Sequence, residues 1–217
     1  MSILTNYRDR GSERLVPTQV TFELTYRCNE RCSHCYLSTY DDLADGRPPL
    51  TSTEWKRILD ELAEAGSLFL VLIGGEAMMH PEFWTVAEHA SQKNFAIALI
   101  TNGLLIDAEA AEKMSALGFY NITISLYSLD PQVHDAMTRR KGSHARAMAA
   151  IEHLKKNGVI VGINCLLTKT NIEHYFELEA WAELNGIEIR FDPLVTAKSA
   201  ATLGSTAQRA TREQLQK

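Results

Sequence analysis

Three of the four cysteines in this 217-residue chain fall within one short segment, Cys28-Asn-Glu-Arg-Cys32-Ser-His-Cys35. The C-x3-C-x2-C spacing places three thiolates on one loop, where they can hold three irons of a cubane iron–sulfur cluster. A complete protein-only ligation would need a fourth thiolate. With three, one iron stays open for a ligand that the protein does not supply. The predicted metal ligands are therefore Cys28, Cys32 and Cys35.

Cys165 is the only other cysteine that could serve as a fourth ligand. It alternates in step with Val161 and Ile163, on the apolar face of its predicted strand, so we interpret it as a small buried hydrophobe. A zinc site that adds His34 or a distant residue to the three cysteines is one alternative. Zinc knuckles usually draw on two separated cysteine pairs, and the sequence has no second pair. An electron-transfer cluster is another alternative, and it would usually have four cysteine ligands.

Composition limits the class of protein. The chain carries 22 basic and 27 acidic side chains, a net charge of −5, and 45% hydrophobic residues. This charge gives no electrostatic basis for binding nucleic acid, and without a run of about 18 apolar residues no membrane-spanning helix is expected. The polar start lacks the apolar core of a signal peptide. We therefore expect a cytoplasmic protein, in which thiols stay reduced.

Short β-branched runs alternate with longer helical stretches, which predicts a parallel sheet built from βα units with right-handed crossovers. The predicted strands are Val20–Thr25, Leu68–Ile73, Phe95–Thr101, Tyr120–Leu126, Val159–Leu167 and Ile187–Asp192. The predicted helices lie near 52–66, 82–94, 107–117, 143–157 and 171–185. Pro81 should open the second helix, where its missing N–H costs nothing. Left-handed C-caps are predicted at Gly66, Gly118, Gly158 and Gly186.

Most strands alternate between apolar and polar side chains. In the first strand, Val20, Phe22 and Leu24 share one face. Thr21 and Glu23 share the other face. A parallel strand covered on both faces should be apolar throughout, as the second and third strands are. One face therefore packs on helices while the other lines a polar interior, which favours a partly open barrel over an open doubly wound sheet.

The predicted fold is α/β, a partial (β/α)6 TIM-like barrel of parallel strands with outer helices over residues 16–195. Residues 196–217 form a polar tail, or a linker towards a further domain, with a short helix near 209–217. Because the cysteine loop directly follows the first strand, it should lie at the carboxyl-end mouth of the barrel, where such folds build their sites.

The cysteine spacing, together with Gly74-Gly75-Glu76 after the second strand, resembles the radical S-adenosylmethionine (SAM) enzyme superfamily. The resemblance covers roughly residues 16–195. In that superfamily three cysteines bind a 4Fe-4S cluster, and the amine and carboxylate of SAM chelate the open iron. The resemblance therefore implies both cofactors, in agreement with the open iron inferred from the cysteine count.

Further motifs are similar to the subgroup that modifies peptides and often carries a C-terminal SPASM or twitch domain. They are the segment Ile124–Arg139, Lys141-Gly-Ser143, Asn171-Ile172 and Arg190-Phe-Asp-Pro193. Relatives in this subgroup generally continue into a cysteine-rich domain, and no cysteines remain here for an auxiliary cluster. We expect either a truncated piece or a minimal enzyme that depends on a partner protein for peptide recognition.

The resemblance also implies which residues contact SAM. Gly74 and Gly75 lack Cβ atoms and would let the backbone approach the methionyl part, and Glu76 would pair with the ammonium. The family usually has proline where this chain has Ala77, which should loosen the loop. The remaining implied contacts are His34 near the adenine, Asn102, Ser125, Arg139 at the SAM carboxylate, and Asn164 beside the gap left by Gly162. For His34 the alternative is an exposed loop histidine, and for Asn102 it is a simple Asn-Gly turn. For Arg139 it is a register that puts Arg140 in its place.

Four other polar side chains, Glu23, Tyr127, Arg190 and Asp192, should point into the lumen. They are candidates for substrate contact or proton handling, and a buried ion pair or hydrogen bond is the alternative for each. No catalytic acid or base is assigned.

The implied reaction starts with one electron from a flavodoxin- or ferredoxin-like donor. SAM is cleaved to methionine and a 5′-deoxyadenosyl radical, which takes a hydrogen atom from a substrate held in the lumen. The expected substrate is a ribosomally synthesised peptide. A radical SAM enzyme of small-molecule or cofactor biosynthesis, and a non-catalytic iron–sulfur scaffold protein, are the alternatives.

Overall fold

The structure, a computed structural model, describes Thr5, Tyr7, Gly11 and residues 16–37, 39–43, 48–198 and 204–214. Six parallel strands form one sheet in chain order. They are β1 (Gln19–Glu23), β2 (Phe69–Ile73), β3 (Ala96–Thr101), β4 (Phe119–Ser125), β5 (Val161–Leu166) and β6 (Glu188–Asp192). Each strand pairs with the next, and no described residue pairs β6 with β1. The sheet is an open, partial barrel, which confirms the predicted fold class.

Six α-helices lie in the described part of the chain. They are α1 (Ser52–Ala65), α2 (Phe83–Gln92), α3 (Ala108–Ala116), α4 (Pro131–Thr138), α5 (Ser143–Lys156) and α6 (Tyr175–Leu184). The Thr51 hydroxyl accepts from the Glu54 N–H while the Glu54 side chain accepts from the Thr51 N–H, so α1 begins with a capping box. The four predicted glycines adopt left-handed conformations: φ is 96° at Gly66, 75° at Gly118, 72° at Gly158 and 64° at Gly186.

Two helix predictions need correction. Helix α4 was not predicted, although Asp130 accepts from the N–H of Gln132 as its N-cap and Pro131 occupies its first turn. Helix α2 begins at Phe83, after the N-cap Glu82, so Pro81 lies in the preceding turn instead of opening the helix.

The core lies between the sheet and the outer helices. Side chains on the helix-facing side of the strands, such as Leu72, Ile122 and Ile163, are at most 1% exposed. Each such burial contributes roughly 1.5–3 kcal/mol. The lumen side of β2 is also apolar but only half-buried, and Ile100 of β3 is 40% exposed. The interior of the barrel is therefore open, even where the second and third strands are apolar on both faces.

The tail folds back onto the barrel after β6. A 3-10 turn over Ser205–Gln208 follows, the Ser205 hydroxyl donates to the Thr196 carbonyl at 2.6 Å, and the Lys169 N–H donates to the Gln208 carbonyl at 3.0 Å. Ser205 is fully buried, so this part of the tail is not a free surface linker. The predicted helix near 209–217 falls partly outside the described residues, which show only a turn at 212–214. No described helix is long and apolar enough to cross a membrane.

Candidate cluster and cofactor site

A cavity of about 410 Å³ lies at the carboxyl ends of the six strands. Of the predicted site residues, it brings together Cys28, Cys32, His34, Cys35, Gly74, Gly75, Asn102, Ser125, Tyr127, Asn164 and Asp192. These residues come from all six strand ends, because parallel strands present their carboxyl ends at one edge of a sheet. The volume is within the range of small-molecule sites.

The cysteine loop is docked on the end of helix α4. The Arg31 N–H donates to the Thr138 carbonyl at 3.2 Å, and the Ser33 N–H donates to the Met137 carbonyl at 2.9 Å. Helix α4 ends there because Arg139 adopts a left-handed conformation, with φ of 55°. The last carbonyls of the helix have no intrahelical donors, and here they accept hydrogen bonds from the loop instead.

The glycine pair makes room for the start of the cysteine loop. A Cβ on Gly74 would lie 2.5 Å from the Thr25 carbonyl oxygen, and one on Gly75 would lie 2.5 Å from the carbonyl oxygens of Tyr26 and Arg27. The Gly75 N–H donates to the Thr25 carbonyl at 2.7 Å, so the β1–β2 pairing continues past both strands. One side of the glycine pair is therefore in contact with the backbone of the cysteine loop. Both glycines also line the cavity, where the close approach to SAM was predicted.

Glu76 holds the ends of β2 and β3 together. Its carboxylate accepts from the Thr101 hydroxyl at 2.8 Å, from the Asn102 N–H at 2.9 Å and from the Met78 N–H at 3.2 Å. Burial raises the pKa of this carboxyl, and the three donors oppose that rise. Glu76 is not among the described residues that line the cavity, and its contact with the SAM ammonium stays a prediction.

His34 and Tyr127 form one wall of the cavity. The Nε2 atom of His34 lies 3.1 Å from the Tyr127 hydroxyl, and the two rings meet edge to face at 4.7 Å. Burial lowers the pKa of His34 to about 4, so the imidazole is neutral near pH 7. Its Nδ1 atom is buried and finds no hydrogen-bond partner among the described residues. His34 is therefore partly buried, unlike the exposed loop histidine of the alternative.

The thiols of Cys28 and Cys32 are protonated near pH 7 in the metal-free chain. Burial raises the pKa of Cys28 to about 11, against a hydrogen bond from the Glu30 N–H, and raises the pKa of Cys32 well above its ordinary value. Burial likewise raises the pKa of Glu30 to about 7. Because metals bind thiolates, loading this loop must release protons.

Three thiols around one cavity fit an iron–sulfur cluster with an open iron. The described residues contain no group of three or more Cys, His, Asp or Glu side chains close enough to hold a single metal ion. Two buried polar atoms in the cavity wall, Nδ1 of His34 and Oε1 of Glu30, have no hydrogen-bond partner in the part of the chain that the structure describes. The cavity thus offers both the soft ligands that iron requires and unsatisfied polar atoms for an organic cofactor.

Cys165 is separate from the cluster site. It is fully buried, its thiol donates to the Tyr127 carbonyl at 3.7 Å, and the Asn171 amide donates to its sulfur at 3.5 Å. Burial raises its pKa to about 12. The prediction of a small buried residue on the helix-facing side describes this position well.

Besides Glu76, three predicted polar side chains are not among the described residues that line the cavity. Arg139 is exposed because the left-handed end of α4 turns it to solvent. Arg190 is exposed because β6 has no outer neighbour among the described strands. Glu23 lies in an adjacent groove and accepts a hydrogen bond from the Tyr36 hydroxyl. Asp192 does line the cavity, and its Oδ1 accepts from the Leu194 N–H at 2.8 Å.

Sequence reasoning named Asn102 and Asn171 but did not predict the contacts by which they join the strand ends. The Asn102 amide donates to Asn29 Oδ1 at 2.6 Å, which ties β3 to the cysteine loop. The Asn171 amide donates to the Tyr127 carbonyl at 2.9 Å and to the Leu166 carbonyl at 3.1 Å, which ties β4 to β5. A buried asparagine after a strand was the available signal for both.

Comparison with known proteins agrees with this geometry. A partial parallel barrel with three thiols at its mouth is the architecture of an α/β-barrel protein that can hold an iron–sulfur cluster. Residues 22–182 match the radical SAM superfamily, and the chain belongs to that family. Enzymes of this superfamily use a 4Fe-4S cluster and SAM.

The relatives include both peptide and heme enzymes. The chain is 32% identical over 187 residues to the mycofactocin maturase MftC of Mycolicibacterium smegmatis, covering 86% of this chain and 46% of MftC. It is 32% identical over 157 residues to the AdoMet-dependent heme synthase of Methanosarcina barkeri, covering 72% of this chain and 44% of that enzyme. Streptococcus suis SuiB, solved with its precursor peptide SuiA, superposes with a TM-score of 0.71 at 20% identity, covering 86% of this chain and 42% of SuiB. The chain spans less than half the length of each.

Proposed function

We propose that the chain is the catalytic barrel of a radical SAM enzyme that modifies a ribosomally synthesised peptide. The observation that carries this proposal is the single cavity into which the three thiols, the glycine pair and the polar ends of β3 to β6 all project. When bound, the cluster and SAM supply reductive cleavage of SAM and a radical that abstracts a hydrogen atom from the substrate. In the cell the electron would come from a flavodoxin- or ferredoxin-like donor in the reducing cytoplasm.

The chain's own residues would hold the cofactors and the substrate. Cys28, Cys32 and Cys35 are the proposed iron ligands. The neutral His34 ring, fixed by the Tyr127 hydroxyl, offers a flat surface and a free Nδ1 to the adenine of SAM. The other proposed SAM contacts are the backbone at Gly74 and Gly75 and the side chains of Asn102, Ser125 and Asn164, which all line the same cavity.

The character of the cavity wall favours a peptide over a polycarboxylate. Among the described lining residues, the carboxyl side chains are those of Glu30 and Asp192. No lysine or arginine is among them. The lining residues Tyr36, Leu37 and Leu194 are apolar or aromatic. A porphyrin with several propionates would need basic partners, because unpaired carboxylates are costly to bury. A neutral or basic peptide segment needs none, so the maturase-like relatives are the better guide to substrate than the heme synthase.

Anaerobic reconstitution tests the proposal. We expect iron and sulfide in the ratio of a 4Fe-4S cluster, and 5′-deoxyadenosine after addition of dithionite and SAM. Cys35→Ala should lose the cluster and the product. Cys165→Ala is the matched control and should keep both, because that thiol lies outside the cavity. A reconstituted cluster that yields no 5′-deoxyadenosine would contradict enzymatic function and support the scaffold alternative.

The substrate class needs a second measurement. We expect synthetic peptides to raise the yield of 5′-deoxyadenosine, and to carry a mass change, whereas a porphyrin carboxylate should do neither. The reverse pattern would show that the chain belongs to the small-molecule branch.

A further inference from the structure

Three successive peptide carbonyls of the cysteine loop, those of Cys28, Asn29 and Glu30, accept hydrogen bonds from arginine side chains. Nη1 of Arg31 donates to the Cys28 carbonyl at 2.6 Å and to the Glu30 carbonyl at 2.7 Å. Nη1 of Arg140 donates to the Asn29 carbonyl at 2.6 Å. Hydrogen bonds to charged donors are stronger than neutral ones. The backbone path between the two thiols is therefore held by two guanidinium groups.

The two arginines differ in what they connect. Arg31 belongs to the loop itself and lies over the Tyr40 ring at 4.0 Å. Arg140 comes from 111 positions further along the chain, in the connection between α4 and α5. Its own backbone is anchored, since its N–H donates to the Asp135 carbonyl at 3.2 Å. Arg140 thus links a rigid part of the barrel to the middle of the cysteine loop.

The charge of Arg140 acts on the wall of the cavity. The guanidinium donates to the Asn29 carbonyl, directly beside Glu30, which is a lining residue and 4% exposed. Arg140 does not itself line the cavity among the described residues, so it stands behind the loop and not in the space for SAM. A fixed positive charge at this position favours the added negative charge of a reduced cluster.

We propose that Arg140 is a positioning residue for the iron–sulfur cluster. It holds the Asn29 peptide so that Cys28 and Cys32 are set for iron, and its charge raises the reduction potential of the cluster. The proposal rests on the proposed function, in which Cys28, Cys32 and Cys35 bind a 4Fe-4S cluster. It requires neither a particular substrate nor a contact between Arg140 and SAM.

Three variants separate the two effects. Arg140→Gln removes the charge and the fork-shaped donor, while Arg140→Lys keeps the charge and loses the fork. Lys141→Gln is the matched control, because Lys141 is the next cation along the chain and is exposed. Each is reconstituted anaerobically as the full chain, with iron and sulfide followed over time. The midpoint potential is then measured by electron paramagnetic resonance in a dithionite titration with mediator dyes.

We expect Arg140→Gln to load its cluster about tenfold more slowly, as when the partner of a metal ligand is removed, and to shift the midpoint potential downwards. Arg140→Lys should keep a potential near that of the wild type and load at an intermediate rate. Lys141→Gln should match the wild type in both.

Three results would overturn the inference: loading and potential of Arg140→Gln equal to the wild type, the same downward shift in Lys141→Gln, or a full shift in Arg140→Lys. If Arg140→Gln does not fold, the Lys variant alone decides, through its loading rate and potential. A wild-type chain that builds no 4Fe-4S cluster at all contradicts the proposed function instead, so the two failures are distinguishable.

Discussion

His134 belongs to a row of ring contacts that begins at the cavity with His34 and Tyr127. Its ring lies 5.4 Å from that of Tyr127 in a stacked arrangement, and the His144 ring meets it edge-on at 5.6 Å. The Tyr127 N–H donates to Nδ1 of His134 at 3.2 Å, which requires that nitrogen to be unprotonated. Burial lowers the pKa of His134 to about 4, with His144 and His34 acting in the same direction and Asp135 against them. The neutral imidazole is thus part of the support behind Tyr127.

This histidine should make stability depend on pH. Its pKa falls from 6.5 in the unfolded chain to about 4 in the folded one, so its contribution is present above pH 6.5 and is lost as the pH falls from 6.5 to 4. The shift corresponds to about 3 kcal/mol. We expect urea unfolding of the wild type to lose stability over this interval, and His134→Asn to lose about 3 kcal/mol less over it while being weaker at pH 7. Parallel stability curves for the two proteins would contradict this assignment.

At the scale of elements, the junction of β1 and β2 depends on a missing side chain. A Cβ on Gly75 would meet the carbonyl oxygens of Tyr26 and Arg27 at 2.5 Å and the Arg27 carbonyl carbon at 2.9 Å. These are backbone atoms, which cannot move aside as a flexible side chain can. The start of the cysteine loop must therefore shift if any side chain is introduced at Gly75.

Gly75→Ala should cost about 1–3 kcal/mol of folding free energy, the usual range for overpacking, and should lower the iron content after reconstitution. Urea unfolding and iron analysis measure the two effects. Gly204→Ala is the control, because φ there is −57° and no atom lies within 4 Å of the added Cβ. An alanine at position 75 that loads iron normally would show that the loop tolerates displacement.

The strands and most of the helices could be predicted from local sequence signals. Strands end within about two residues of their predicted bounds, because β-branched runs and helix-ending glycines carry local signals. Helix α4 was missed because it is only eight residues long and lies within the motif-bearing segment Ile124–Arg139. The Asp130-Pro131 pair was the signal that could have located it.

Contacts across the fold were not readable in the same way. The cysteine ligands are close in sequence, so their spacing alone predicted a site. The partners of Glu76 and of Asn29 lie 25 and 111 positions away. Only the packing of β2 against β3, and of α4 against the loop, decides that Glu76 turns to Thr101 and that Arg140, not Arg139, reaches the cysteine loop.

At the scale of the whole molecule, the site depends on all six strands while the sheet stays open. β1 supplies the cysteine loop, and β6 supplies Asp192 at the opposite edge of the cavity. In the described residues, hydrogen bonds join each strand only to its neighbours, so nothing in the sheet closes the gap between these two edges. A ligand that contacts residues from both edges would add the missing link.

SAM binding should therefore stabilise the reconstituted chain as one unit. A ligand that binds only the folded state adds about 2.7 kcal/mol at a free concentration of about 100 times its Kd. We expect the urea midpoint of the cluster-loaded chain to rise with SAM concentration in a single transition, because the proposed contacts run from the cysteine loop after β1 to Asn164 on β5. The cluster-free chain is the control and should respond much less, since it lacks the open iron that holds the amine and carboxylate of SAM. Equal shifts in both forms, or a transition that splits as SAM is added, would show that the cofactor contacts only part of the barrel.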